Sequence, residues 1–429
     1  MGRILVRFGW RPTGCRLFHG RFILNDTLQA LPVTPHLAAL QPYPFERLKA
    51  LTAGITGPAS LPLVRLSIGE PQHATPQLIK DALTGALDGL AVYPTTAGGD
   101  ALRECIASWL MRRYRLPAVS AASQVLPVNG SREALFSFAQ SVIDASRTDA
   151  AVLAPNPFYQ IYEGAALLAG ARIRFYNQLP EDGFACNFER IDAAGWTGVQ
   201  LVYVCSPANP CGKVMTLDEW RTLFELADRH GFVIASDECY SEIYFDEAVP
   251  PLGGLEAAHR LGRAGFERLV VFSSLSKRSN VPGLRSGFVA GDARLLKRFL
   301  LYRTYHGSAM NPAVQAASVA AWRDEAHVLD NRDQYRAKFA AVQPLVSSVM
   351  DAPMPDASFY LWARTPIDDT EFARRLLAEY NVAVLPGSYL ARNAHDINPG
   401  AGFVRIALVA PASDCIVAAE RIVQFCRAL

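Results

Sequence analysis

The sequence predicts an α/β protein, with a mainly parallel sheet sandwiched by helices in a large domain and a smaller α+β domain beside it. Three observations predict this. From residue 124 onward, short β-branched runs alternate with helical patterns, the signature of a parallel sheet covered by helices. At 429 residues, half of them apolar, the chain can bury a large core and divide in two. After residue 300 the pattern shifts to longer helices followed by separated strands.

Residues 1–33 read as a leader. They carry Arg3, Arg7, Arg11, Arg16 and Arg21, with no acid before Asp26. This resembles an organellar transit peptide, but the segment lacks serine enrichment, so the preferred reading is a disordered leader or a start assigned too far upstream. Residues 34–69, rich in Pro and Leu, are expected to join the small domain. Residues 70–300 form the large domain and 301–429 the small one. Strands are expected at 124–128, 150–154, 171–176, 199–205, 232–236, 268–273 and 287–290. The helix after 199–205 opens on a capping box, Thr216 with Glu219, ahead of Trp220, Leu223 and Leu226. In the small domain strands are expected at 382–385 and 403–409, then a closing helix opened by Ser413.

The 42 basic and 40 acidic residues leave a formal charge of +2, scattered along the chain. No basic stripe offers phosphate neutralisation, so a nucleic-acid partner is not expected. No apolar run reaches the roughly 18 to 20 residues of a membrane span. The eight cysteines lie far apart without a C-x-x-C pair, which argues against a zinc site and a disulfide scaffold and for reduced thiols in the cytoplasm. A small-molecule partner is the better expectation.

A lysine that bonds covalently to a carbonyl must be desolvated enough to lose its proton, and the chain has six lysines. Lys49, Lys80, Lys297 and Lys338 sit in helical patterns among charged or polar neighbours and read as solvated surface residues. Lys213 lies in a loop. Lys277 alone follows an apolar strand, in SSLSKRSNVPGLRSGF, where a Ser/Gly/Pro-rich loop meets the sheet. Ser274 before it and Arg285 after it can both reach one dianionic phosphate, serine as a neutral donor and arginine as a planar fork. A second cradle is expected at Gly130-Ser131-Arg132, where a strand turns into a helix and free N–H groups face an anion. The turn in CSPANPCG presents Asn209. In ASDECY, Asp237 and Tyr240 leave the end of a strand, where open α/β sheets bind ligands.

The order NGSREAL, PNPFYQIY, NPCG, DECY and SLSK, with an arginine eight residues beyond the lysine, resembles the class I/II aminotransferases of pyridoxal-5′-phosphate (PLP) fold type I, over residues 34–429. The resemblance implies that Lys277 is the Schiff-base lysine, that Asp237 pairs with the pyridine nitrogen, that Tyr240 and Asn209 contact the ring hydroxyl, and that Tyr159 stacks on the ring. Gly130, Ser131, Arg132, Ser274 and Arg285 would hold the phosphate. Arg405, in FVRIALV, would grip the substrate α-carboxylate, helped by Gly69 of SIGEP through its backbone and by Asn209. Tyr93 would reach the phosphate in a neighbouring subunit's site, implying a homodimer with shared sites. Cys211 stands where the family usually has Thr, at a position that supports the turn. The implied chemistry is ping-pong transfer between an amino acid and a 2-oxo acid, with Lys277 moving the α-proton and Asp237 keeping the ring nitrogen protonated.

Longer strings, among them LQPYPFERL, DECYSEIYFDE and LYRTYHGSAMNP, resemble the proteobacterial N-succinyldiaminopimelate aminotransferases of lysine and peptidoglycan-precursor synthesis. Their substrates carry several carboxylates, and the arginines outside the cofactor set offered for them are Arg47, Arg278 and Arg303. Rival readings on the same scaffold are an aspartate, aromatic or kynurenine aminotransferase or a cysteine-conjugate β-lyase. A PLP-sensing regulator would need a helix-turn-helix that the chain before the first motif does not contain.

Overall fold

The computed structural model describes residues 34–429, and the expectations placed on residues 1–33 lie outside the described residues. Its strands are β1 (Val64–Arg65), β2 (Val125–Val128), β3 (Ala151–Asn156), β4 (Arg172–Asn177), β5 (Val199–Cys205), β6 (Val233–Asp237), β7 (Leu269–Ser274), β8 (Gly287–Gly291), β9 (Tyr360–Arg364), β10 (Val382–Ala383), β11 (Leu385–Pro386) and β12 (Phe403–Ala407). The seven strands expected in the large domain lie within two residues of their predicted positions.

Seven strands form one sheet in the order β2-β8-β7-β6-β5-β3-β4. The run from β4 to β7 is parallel, and β8 is antiparallel to both of its neighbours. The near-continuous apolar strands follow from burial of both faces. Along β5, Val202 and Val204 enter one core with Trp109, Trp220 and Trp322. Leu201 and Tyr203 enter the opposite core with Phe138, Tyr162 and Phe299. The predicted capping box is present: Thr216 Oγ1 accepts from Glu219 N at 3.2 Å, and Glu219 Oε2 accepts from Thr216 N at 2.7 Å. No helix among the described residues is long and apolar enough to cross a membrane.

Three boundaries differ from expectation. The helices Ala293–His306 and Pro312–Arg323 pack on the large sheet, since Leu296 and Phe299 share the core of Leu201 and Tyr203 while Trp322 packs 4.7 Å from Trp109 and 5.2 Å from Phe288. The small-domain core begins with Phe339, Val342 and Val346 of the helix Ala326–Ser347. Expected strand 382–385 divides, because β10 pairs in parallel with β1 of the N-terminal segment while β11 pairs with β12. The closing helix, Ala412–Ala428, starts after Pro411 with no side-chain cap, and Ser413 Oγ reaches only Asp414, at 3.4 Å. Pro411 supplies the extended entry that a capping serine would otherwise mark.

Candidate active site

The parallel strands deliver their C-terminal ends to one cleft of about 450 Å³. Asn209 follows β5, Asp237 ends β6, and Ser274 ends β7. Tyr43, Gly69 and Glu70 of the N-terminal segment close one side, and Tyr360 and Arg405, from β9 and β12 of the small domain, close another. The site therefore joins residues far apart in the chain.

Lys277 lies in the short helix Leu275–Arg278 that β7 runs into. Its Nζ donates to the Gly69 carbonyl at 2.7 Å and sits 5.6 Å from the centre of the Phe359 ring. Burial pushes the ammonium down to about 8, so a substantial fraction of the amine is neutral near physiological pH. Gly69 has to be glycine at this point, because a Cβ there would stand 1.9 Å from the Tyr360 hydroxyl. With its carbonyl held by Lys277, Gly69 offers a substrate carboxylate only its N–H.

The other lysines divide differently from expectation. Lys49, Lys80 and Lys297 are exposed, and Lys213 pairs with Asp356 at 3.1 Å. Lys338 corrects the surface reading, being 2% exposed. Its Nζ lies 2.6 Å from His73 Nε2 and donates to the carbonyls of Leu408 and Val409. Burial pushes it, too, down to about 8. Lys277 is set apart by facing the cleft; Lys338 faces carbonyls and an imidazole outside the lining.

Asp237 is buried. Its Oδ2 accepts from Tyr162 Oη at 2.8 Å and its Oδ1 from Cys239 N at 3.3 Å, and it forms no salt bridge among the described residues. Burial pushes its carboxyl up. A carboxylate buried beside a cleft without a countercharge suits a ligand that brings one. Tyr162, which sequence reasoning passed over, stacks on Tyr203 with ring centres 4.6 Å apart. The available signal was its place one helical turn after Tyr159 in PNPFYQIY.

The donors expected to hold a phosphate lie together along the cleft. Gly130, at φ 87°, precedes the helix Ser131–Val142, and a Cβ on it would meet Arg285 Nη2 at 2.2 Å. The Ser131 and Ser274 hydroxyls converge on Cys239, whose thiol donates to Ser131 Oγ at 2.9 Å and accepts from Ser274 Oγ at 3.8 Å. Two hydroxyls, a guanidinium and a helix N-terminus fit a dianionic phosphate. Cys239 was the unnoticed member. The Arg132 side chain is engaged by two phenols, its Nε donating to Tyr159 Oη at 2.7 Å and its Nη2 to Tyr43 Oη at 3.4 Å.

Arg405 is 3% exposed, with Nη1 donating to Asn209 Oδ1 and Nη2 to the Ser67 carbonyl, both at 2.9 Å. Its Nε is buried without a partner, and the guanidinium lies 4.3 Å over the Tyr360 ring. A buried cation without an acid fits a substrate carboxylate. Tyr240 Oη and Tyr360 Oη are 2.9 Å apart at the cleft wall.

The structure does not bring Arg303 to the cleft. It is wholly buried, with Nη1 on Glu133 Oε2 at 2.8 Å and Nη2 on the Ser308 carbonyl at 3.0 Å. Glu133 Oε1 in turn accepts from Asn129 N at 2.8 Å, so Arg303 braces the turn before Ser131. Arg278 is likewise buried, on Glu325 and the Ala321 carbonyl. Arg47 lies 3.9 Å over the Tyr389 ring, outside the lining. Tyr93 is 99% exposed and also outside it.

A desolvated lysine at a strand end, a buried carboxylate, two hydroxyls and an arginine beside a helix N-terminus, and a buried arginine without an acid share one cleft, a set that fits a PLP enzyme of the α/β type. Residues 62–422 match the family described as aminotransferase class I and II, and the chain belongs to that family; its cofactor is pyridoxal 5′-phosphate. Among its relatives, a 4-dedimethylamino-4-oxo-anhydrotetracycline transaminase of Streptomyces rimosus is 34% identical over 84% of this chain and 93% of its own. An LL-diaminopimelate aminotransferase of Maridesulfovibrio salexigens is 29% identical over 87% of this chain and 93% of its own. A crystal structure of an aminotransferase from Neisseria meningitidis, 54% identical, superposes with a TM-score of 0.89 over 92% of this chain and 100% of that one.

Proposed function

We propose that this aminotransferase moves an amino group between glutamate and N-succinyl-2-amino-6-oxopimelate. The observation that carries the reading is the charge of the cleft: Arg132, Lys277, Arg285 and Arg405 line it against Glu70 and Asp237 alone. With Arg285 given to a phosphate, Arg405 to an α-carboxylate and Lys277 to the cofactor, Arg132 is the one lining cation left for a further acid group of the substrate. The long strings shared with the N-succinyldiaminopimelate enzymes support the same reading. So does the similarity to aminotransferases named for diaminopimelate.

PLP, when bound, supplies the electron sink for the α-carbon charge. The residues around it bind and move protons. Ser131, Ser274, Arg285 and the helix N-terminus would hold the phosphate, and Asp237 would hold the ring nitrogen in its protonated form. Arg405 fixes the α-carboxylate, which orients the α-C–H toward Lys277. Lys277 Nζ, facing the cleft, would be the group that takes the α-proton and gives it back. Its lowered basicity enlarges the neutral, proton-accepting fraction near neutral pH.

We further infer a homodimer in which Tyr93 serves the partner's site. Support comes from the exposed run Leu87, Leu90, Val92 and Tyr93, an apolar stretch that a second subunit would cover. A cytoplasmic location remains part of this reading.

The test is a panel of amino acceptors on the purified holoenzyme. The succinyl compound should exceed the oxo acids of aspartate, the aromatic amino acids and kynurenine by about 10³-fold in kcat/KM, because sites that pair polar groups strongly reject analogues lacking them. An aromatic or aspartate-type substrate that matched it would overturn the substrate assignment and leave the aminotransferase.

A further inference from the structure

Lys338 holds a buried ammonium outside the cleft and pairs with no carboxylate among the described residues. Its three N–H groups meet three neutral acceptors: His73 Nε2 at 2.6 Å, the Leu408 carbonyl at 3.2 Å and the Val409 carbonyl at 3.4 Å. A buried cation of this kind is poor value for stability, since an apolar side chain of similar size would avoid its desolvation.

The bonds beyond it have a fixed direction. Asn331, two turns earlier in the helix Ala326–Ser347, donates through Nδ2 to the Lys277 carbonyl at 3.2 Å and the Arg278 carbonyl at 3.4 Å. These are free acceptors at the end of the short helix Leu275–Arg278. Because carbonyls only accept, the Asn331 amide must present Oδ1 on its other side, where it accepts from Asn280 Nδ2 at 2.9 Å and meets His73 Nδ1 at 2.8 Å. Nδ1 therefore carries the imidazole proton, and Nε2 is left bare to accept from Lys338. Burial pushes the imidazolium down, which keeps the ring neutral near physiological pH. The Tyr335 ring, 4.5 Å from that of His73, holds it in place.

The result is one line of donors from Lys338 through His73 and Asn331 to the backbone of Lys277. Its ends reach three parts of the cleft. Leu408 and Val409 follow β12, the strand of Arg405. His73 follows Gly69, whose carbonyl accepts from Lys277 Nζ at 2.7 Å. Asn331 holds the carbonyl of the same lysine.

We propose that Lys338, His73 and Asn331 are positioning residues that act as one relay, setting the Lys277 backbone against the strand of Arg405 so that Nζ meets the α-C–H. The proposal rests on the roles read above for Lys277 and Arg405 and is independent of the amino acceptor. None of the three residues lines the cleft. Their effect reaches the chemistry through geometry, and a misplacement of about 1 Å in a reacting group costs on the order of a hundredfold in rate.

The experiment compares the holoenzyme with its His73→Phe, His73→Gln and Lys338→Met variants and with the double variant His73→Phe/Lys338→Met. Stopped-flow cofactor absorbance over a range of glutamate concentrations separates the limiting rate of the half-reaction from the apparent dissociation constant. In His73→Phe, which keeps a flat ring against Tyr335, the limiting rate should fall by about tenfold while glutamate affinity changes by less than about threefold. His73→Gln should recover most of the rate, because its amide can accept from Lys338 and donate to Asn331. Lys338→Met should match His73→Phe, and the double variant should lose no more than either, since residues of one relay do not contribute additively. In the ¹⁵N spectrum of the wild-type holoenzyme the His73 ring should be neutral with its proton on Nδ1. Circular dichroism checks folding, and if Lys338→Met does not fold, the two His73 variants and the spectrum carry the test.

A wild-type limiting rate in His73→Phe would overturn the relay. So would single losses that multiply in the double variant, or a ring proton on Nε2. Peptide mapping after borohydride reduction separates the two ways of failing. Label on another lysine removes the reading of the site and the relay with it, whereas label on Lys277 together with a wild-type rate in His73→Phe removes the relay alone.

Discussion

Tyr162 Oη donates to Asp237 Oδ2 at 2.8 Å in a part of the protein where both side chains are buried. The hydroxyl and Cys239 N are the donors that steady the carboxylate, and without them burial alone would favour its neutral form. Tyr162→Phe keeps the stacking on Tyr203 and removes one donor. The amino-acid half-reaction should slow by about tenfold, consistent with the net worth of a hydrogen bond to a charged group. Stopped-flow absorbance checks it. An unchanged rate would mean that the tyrosine only fills space.

Lys277 makes the cofactor-free protein sensitive to pH in a stated direction. The unfolded chain keeps the lysine proton up to the ordinary value of 10.5, whereas the folded chain releases it near 8. Below pH 8 folding therefore carries the full cost of a desolvated ammonium, and stability attributable to this group rises as pH climbs from 8 to 10.5. Lys277→Met should stabilise the apoprotein at pH 7 by on the order of 1 to 3 kcal/mol, after allowing for the lost bond to Gly69. The advantage should shrink toward pH 10. Urea unfolding of both apoproteins at the two pH values measures it, and an equal gain at each would contradict the assignment.

Gly69→Ala tests how closely the N-terminal segment approaches the small domain. The added Cβ would fall 1.9 Å from Tyr360 Oη, which is itself 2.9 Å from Tyr240 Oη. Overpacking of this kind costs about 1 to 3 kcal/mol, and because the clash is inside the cleft most of it should appear as lost kcat/KM. Gly69→Ala with Tyr360→Phe should regain part of the activity. A wild-type rate in the single variant would show that the approach is looser.

Shared active sites can be tested by mixing. Lys277→Ala lacks the reacting amine and Tyr93→Phe lacks the hydroxyl proposed to reach the partner's phosphate, so each alone should be inactive or weakened. Heterodimers of the two should recover part of the activity, because one of their two sites keeps both groups. A monomer by light scattering at assay concentration would dispose of the idea.

The sequence by itself determined the strands of the large sheet and, with them, the placement of Asn209, Asp237, Ser274 and Lys277. Strand and turn signals are local, the β-branched run and the Gly/Pro/Ser break lying within a few residues of each other, so a residue just past a strand is legible as a cleft residue. The capping box at Thr216 was readable for the same reason. The tertiary structure alone decided which charged side chains would be solvated. Lys338 sits in a helix with polar neighbours in sequence, yet His73, 265 residues away, and the carbonyls after β12 enclose it. Arg278 and Arg303 look as available as Arg132 in sequence, and only packing commits the first two to Glu325 and Glu133 while leaving Arg132 in the cleft. The Tyr162–Asp237 bond spans 75 residues and the Arg405–Asn209 bond 196. Burial and partner choice of this kind depend on contacts between distant segments, whereas a sequence pattern reports only what neighbouring residues dictate.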